Sequence, residues 1–143
     1  MNTDIAAFSI RAEIADLDAG VFEFAEQKSM YGGKTIGVGD TIFLFASENE
    51  GGHGLFARSI VSRSASVPRR SGVERQTPRI FIEVGQIGIA KSTLGRAELR
   101  AFSEWSDGGP ETEFNFKLYR QATNKIVVLT NVATSFLNGL ARP

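Results

Sequence analysis

"GDTIFLFAS" (residues 39–47) is a Gly-Asp turn running into a short, strongly apolar strand. Alternation along it puts Thr41, Phe43, Phe45 and Ser47 on one side and Ile42, Leu44 and Ala46 on the other. A strand this apolar belongs in a β-rich core. It ends, however, in a small polar pair and runs into "ENEGGHGLFARSIV", a glycine-rich loop carrying the single histidine of the chain, His53. The stretch is therefore either a structural hairpin or the floor and rim of a binding pocket.

Working outward, "AAFSIRAEI" (residues 6–14) alternates Phe8, Ile10, Ala12 and Ile14 with Ser9, Arg11 and Glu13, which predicts a strand with one wet face. "DLDAGVFEFAEQKSMYGG" predicts a helix, with Asp16 or Asp18 as N-cap, Val21, Phe22, Phe24 and Ala25 toward the core, and Gly32-Gly33 ending it. "GLFARSIVSRSASV" and "PRIFIEVGQIGIAK" predict further strands, separated by the polar loop "PRRSGVERQTP" between Pro68 and Pro78. "LGRAELRAFSEW" (residues 94–105) has helical spacing and "SDGGPETE" reads as a loop. "FNFKLYRQATNKIVVLTN" reads as a hairpin, and "VATSFLNGL" as a closing helix. Hairpin-linked strands without regular βαβ alternation predict an α+β fold, a small curved mixed β-sheet or pseudo-barrel with flanking helices. A chain of 143 residues has room for one domain, spanning 1–143.

Net charge is zero, but its distribution is uneven. Through residue 50, nine acids stand against three basic residues, a net of −6. From residue 58 to 79, Arg58, Arg63, Arg69, Arg70, Arg75 and Arg79 stand against Glu74 alone, a net of +5. Arginine's planar fork suits phosphate, so this segment points to an anionic partner, although it also suits a solvated loop. No apolar run reaches the ~20 residues of a bilayer span, so no membrane is expected as partner. The N-terminal stretch lacks the basic region of a secretory signal, and a cytoplasmic setting is expected.

With no cysteine, disulfides, thiolate metal sites and a cysteine nucleophile are excluded. Glu48, Glu50 and His53 would be the only histidine-containing metal set, three mixed ligands on one loop, and a hydrolase built on them is the weakest reading. No phosphate-binding P-loop and no nucleophile elbow is present. No enzyme activity, metal or cofactor is therefore expected.

Two large aromatics followed by a small hydroxyl, as in Phe43-x-Phe45-x-Ser47, suit a pocket wall that turns polar at its mouth, which is what holding an extruded base requires. The same pair also suits a hydrophobic core. The strand "AFSIRAEI" resembles the opening strand of EVE-type domains in the PUA-like superfamily, with Phe8 at the family's aromatic, Arg11 at its lysine, Ala12 at its small hydroxyl and Glu13 at its acid. "GDTIFLFAS" is similar to the family's Gly-Asp strand ending in Tyr-His-Ser, where Phe45, Ala46 and Ser47 stand. "GLFARSIV" and the closing stretch from Lys117 to Leu140 also resemble superfamily segments. The chain departs from the family in lacking the Arg-Asn motif before the Gly-Asp turn and the Tyr-His pair.

The resemblance implies a non-enzymatic domain that binds nucleic acid, DNA or RNA, by holding a flipped base, modified or unmodified, in an aromatic-lined pocket. Phe8, Phe45 and Trp105 are then the apolar walls, and Ser9, Arg11 and Ser47 the polar contacts. Arg63, Arg69 and Arg70 meet phosphate, a division of labour usual at such interfaces. The alternative is a small-molecule or protein-interaction module on the same fold.

Overall fold

Phe8–Ala12 (β1) lies at the centre of the fold, and every one of its residues is buried. The computed structural model describes residues 7–14, 20–31, 36–48, 54–66, 79–90, 94–102, 109–119 and 125–142. Thr41–Ala46 (β3) runs parallel beside β1, in register from Phe8 opposite Ile42 to Ala12 opposite Ala46. Lys125–Val128 (β6) pairs antiparallel on the other side of β1, with Ile10 opposite Ile126. Parallel strands buried on both faces read as continuous apolar runs, which explains why "TIFLFA" has no wet side.

The remaining strands wrap around this centre. Gly54–Ser66 (β4) pairs antiparallel with β3, and Arg79–Ala90 (β5) pairs antiparallel with β4. Val21–Tyr31 (β2) lies antiparallel to β5 and parallel to β6, so the mixed sheet curls back on itself as a pseudo-barrel in the order β2-β6-β1-β3-β4-β5. A short strand, Ala141–Arg142 (β7), extends the far end of β5.

Segment 21–31 overturns one expectation. It is a strand, not a helix: Phe22 and Phe24 are buried while Val21 and Glu23 face solvent, an alternation of period two. The apolar residues counted toward a helical face are the inward positions of a strand held by β5, with Phe22 opposite Val84 and Phe24 opposite Ile82. Tertiary pairing overrides local propensity here. Asp16 and Asp18 lie outside the described residues.

The second half carries the helices, and two more expectations change. Residues 109–119 form neither a loop nor a hairpin strand. Pro110–Phe114 (α2) starts with proline at its first position, where the missing N–H costs nothing, and continues without a break into a π-helical turn, Asn115–Tyr119. The signals were helical: Phe114 and Leu118 are buried four residues apart, and Lys117 pairs with Glu113 at 3.0 Å. The helix expected over 94–105 is only Arg96–Leu99 (α1) among the described residues. The closing helix, Asn131–Leu140 (α3), is present as expected, and Thr130 caps it by accepting from the Ala133 N–H at 3.2 Å.

Two apolar layers result. Inside the curled sheet, Phe8, Ile10, Ile42, Leu44, Val61 and Ile82 pack together. On the outer face of β1 and β3, Phe43, Phe45, Phe114, Leu118, Leu129 and Leu137 pack the sheet against the helices. That second layer is why the expected wet face of β1 is dry.

Two glycines hold the ends of β3 and β4 in place. Gly39 takes φ +95° in the turn before β3, where its N–H donates to the Val61 carbonyl at 2.9 Å and the Asp40 carboxylate accepts from the Gly37 N–H at 2.8 Å. At the start of β4, Gly54 has φ +84° and lies so close to the Leu94–Gly95 backbone that a Cβ there would sit 2.6 Å from the Gly95 Cα.

Candidate functional site

Because β1 and β3 run parallel, the chain leaves both strands at the same end of the sheet. There the Ser47 N–H donates to the Ala12 carbonyl at 2.9 Å, extending the β1–β3 pairing by one rung. Arg11 lies on the outer face directly opposite Phe45, and Ser9 opposite Phe43. The π-helical turn crosses over this end. It supplies two groups to Arg11: the Leu118 carbonyl accepts from Arg11 Nε at 2.8 Å, and the Tyr119 ring lies beneath the guanidinium, 4.7 Å from its centre. A cation over an aromatic face contributes roughly 0.5–2 kcal/mol, most when water is excluded, and Arg11 is only 4% exposed.

Tyr119 links this arginine to a carboxylate. Its hydroxyl donates to Glu48 Oε2 at 3.0 Å, and the same oxygen accepts from the Arg96 backbone N–H at 2.6 Å. Burial first, and then the negative charge of Glu48 beside it, push the Tyr119 phenol far above its ordinary value of 10.0, with Arg11 and Arg96 offsetting part of the effect. Tyr119 stays a hydrogen-bond donor throughout the working pH range. Glu48 Oε1, Ser9 Oγ and Ser47 Oγ are buried and have no hydrogen-bond partner among the described residues. Buried polar atoms are normally satisfied, and such a concentration of exceptions requires a reason. The cluster meets solvent on the side of Glu48 and Tyr119, which are partly buried, and of Arg96, which is exposed.

Of the residues expected from sequence, Ser9, Arg11, Phe45 and Ser47 come together here. Arg11 is bound to the π-helical turn, and the Asp40 carboxylate serves its own turn. Phe8 is on the opposite face, packed inside the curled sheet, because neighbouring residues of a strand point to opposite sides. It therefore shares no wall with Phe45. Phe45 itself has no exposed surface: its ring packs edge-on against Tyr119 at 6.4 Å and tilted against Phe114 at 6.3 Å. It backs the site as packing and does not present an open wall.

Arg63 stands apart on the outer side of β4. Its side chain is 68% exposed and lies 5.7 Å from the Phe81 ring and 3.9 Å from Glu83. Arg58 instead ties β4 to α3 by donating to Asn138 Oδ1 at 3.0 Å. Trp105, Arg69 and Arg70, together with Glu50 and His53, lie outside the described residues. Leu118 and Tyr119 were missed by the sequence reading, which weighed Glu48 only as a metal ligand with Glu50 and His53. Glu48 adjoins Ser47 in the first stretch quoted, and the four-residue spacing of Phe114 and Leu118 was the signal that would have turned Tyr119 toward it.

No family model matches the chain, and no curated protein matches it in sequence. Solved structures do. Human THYN1 in complex with DNA containing 5-methylcytosine superposes with a TM-score of 0.66 at 15% identity, covering 94% of this chain and 96% of that one. The DUF55 domain of human thymocyte nuclear protein 1 gives 0.66 at 16% identity, covering 93% and 96%. A hypothetical protein from Leishmania major gives 0.60 at 11% identity, covering 95% and 94%. The fold is thus that of human THYN1 and its DUF55 domain, in agreement with the PUA-like fold expected from the strands around Phe8 and Gly39. Among the described residues, no helix is long and apolar enough to cross a membrane.

Proposed function

We propose that this chain is a non-enzymatic nucleic-acid-binding domain, one unit over 1–143, that reads a flipped base at the common end of β1 and β3. The reading rests on one observation above all: Arg11, Tyr119 and Glu48 are locked together beside the buried hydroxyls of Ser9 and Ser47, two groups left without described partners. Hydrogen-bonding atoms fixed in this way suit the edge of an extruded base, which is read by hydrogen bonds and stacking together. The fold is shared with human THYN1, which is bound to 5-methylcytosine-containing DNA in its structure, and this supports a modified base as ligand. Trp105 is carried forward as the stacking wall, and Arg63, Arg69 and Arg70 as the phosphate contacts that set register. A site composed this way needs neither metal nor nucleophile.

The test is a titration of the purified protein against labelled single-stranded and duplex oligonucleotides, with and without 5-methylcytosine, at two salt concentrations. Affinity that falls with salt and rises with the modified base is the expected result. Absence of binding at low salt would sink the proposal and direct attention to small molecules on the same fold.

A further inference from the structure

Glu48 is held by only one of its two oxygens. Oε2 accepts from the Arg96 N–H and the Tyr119 hydroxyl, whereas Oε1 is buried without a described partner. The Arg96 donor is backbone and cannot turn round, so the orientation of the carboxylate is fixed. The inner oxygen, Oε1, is left as a buried acceptor of set position with no described donor. A buried acceptor without a donor is costly, and a ligand that supplies the donor gains what the free protein loses.

We infer that Glu48 is the specificity-determining residue, and that its inner oxygen takes the exocyclic amino N–H of a base, so that the site selects a 4-amino pyrimidine over a 4-oxo one. The inference rests on the nucleic-acid reading above and deepens it. Carboxylates pair with the cytosine amino group for the same chemical reason in groove readout. 5-Methylcytosine and thymine are the sharpest probes, because they share size and methyl group and differ at position 4 and at N3. A 4-oxo group in that place would set one acceptor against another. Sites built to hydrogen-bond a particular group reject the analogue lacking it far more strongly than they reject a change of shape.

Glu48→Gln makes the test decisive. The Arg96 N–H and the Tyr119 hydroxyl both require an acceptor, so the amide oxygen takes the place of Oε2. The NH2 then occupies the place of Oε1, and the reading atom changes from acceptor to donor with no change in shape.

The experiment compares oligonucleotides identical except for one unpaired 5-methylcytosine or thymine, with wild type, Glu48→Gln and Glu48→Asp, folding being checked by thermal unfolding. Wild type is expected to bind the 5-methylcytosine probe at least ~10-fold more tightly. Glu48→Gln reverses the order, and Glu48→Asp, which withdraws the acceptor by one methylene, removes the preference without reversing it. A Gln variant that keeps the wild-type order overturns the inference and leaves nucleic-acid binding standing. Should the Gln variant not fold, full discrimination by the Asp variant overturns it equally. Wild type binding both probes alike also overturns it, whereas binding to neither removes the nucleic-acid reading along with it.

Discussion

The Arg11 guanidinium lies over the Tyr119 ring, 4.7 Å from its centre, the two on segments more than a hundred residues apart in sequence. Around this pair the sheet, the π-helical turn and the Glu48 carboxylate are joined, so it governs both stability and the proposed recognition.

Replacing Arg11 with alanine leaves the Leu118 carbonyl buried without its charged donor and removes the cation from the Tyr119 ring. A loss of about 1.5–3 kcal/mol is expected, the range for a hydrogen bond to a charged group. Lysine offers a single ammonium without a planar fork and restores only a minor part of it. Denaturant midpoints of the three proteins measure the difference, and full rescue by lysine would contradict the role assigned to the fork.

Tyr119→Phe keeps the ring under Arg11 and against Phe45 while removing the hydroxyl from Glu48. It should cost about 1 kcal/mol. In a Tyr31→Phe background, Tyr119 is the remaining tyrosine, and folded protein should show no phenolate absorbance through pH 11. The sign of the linkage follows: the unfolded phenol ionises near 10.0 while the folded one keeps its proton, so this contribution is present below pH 10 and is lost as pH rises above it. A phenolate signal near pH 10 from protein that is still folded would exclude the buried, Glu48-bound hydroxyl.

Gly54 and Gly39 both have positive φ, but only Gly54 has backbone pressed against it. Gly39→Ala should cost about 1–2 kcal/mol from conformation alone. Gly54→Ala should cost more, because its Cβ must displace the Leu94–Gly95 backbone and, with it, the Leu55 N–H bond to Leu94. Thermal unfolding of the two variants side by side decides the order.

Arg63→Ala tests the proposed phosphate contact separately from the fold. The side chain is 68% exposed and its pairing with Glu83 is long, so stability should change by less than about 0.5 kcal/mol. Binding to every oligonucleotide should weaken, and the slope of log affinity against log salt should fall by about one. An unchanged slope would place the nucleic-acid backbone elsewhere.

The strand content was legible where alternation and turn chemistry agreed, as at the Gly39 turn, Thr41–Ala46 and Gly54–Ser66. It failed where an element's partners decide its state. Val21–Phe24 reads equally as a helical face until β5 is placed beside it, and the polar side of β1 looks wet until the π-helical turn covers it. For the candidate site, Ser9, Arg11 and Ser47 were expected from alternation and family resemblance, and the structure brings them together at one end of β1 and β3. The sequence did not place Tyr119 beside them: helical spacing shows at Phe114 and Leu118, but a phenol meets a carboxylate 71 residues away only through the fold. Phe8 and Phe45 were expected as apolar walls of one pocket, but register puts them on opposite sides of one sheet.

The π-helical turn has a consequence for how such a site is gained or lost over generations. An α-helix advances about 100° per residue, and a wide turn accommodates a residue that the tighter helix would not. A deletion inside the turn is absorbed by its tightening to ordinary helix, whereas a deletion within Pro110–Phe114 is not, and everything after it would swing by about that angle. The Leu118 carbonyl and the Tyr119 ring would then leave Arg11 together, and Glu48 would lose its phenol in the same step. A single codon is thus enough to undo all three contacts, and restoring that codon brings them back at once.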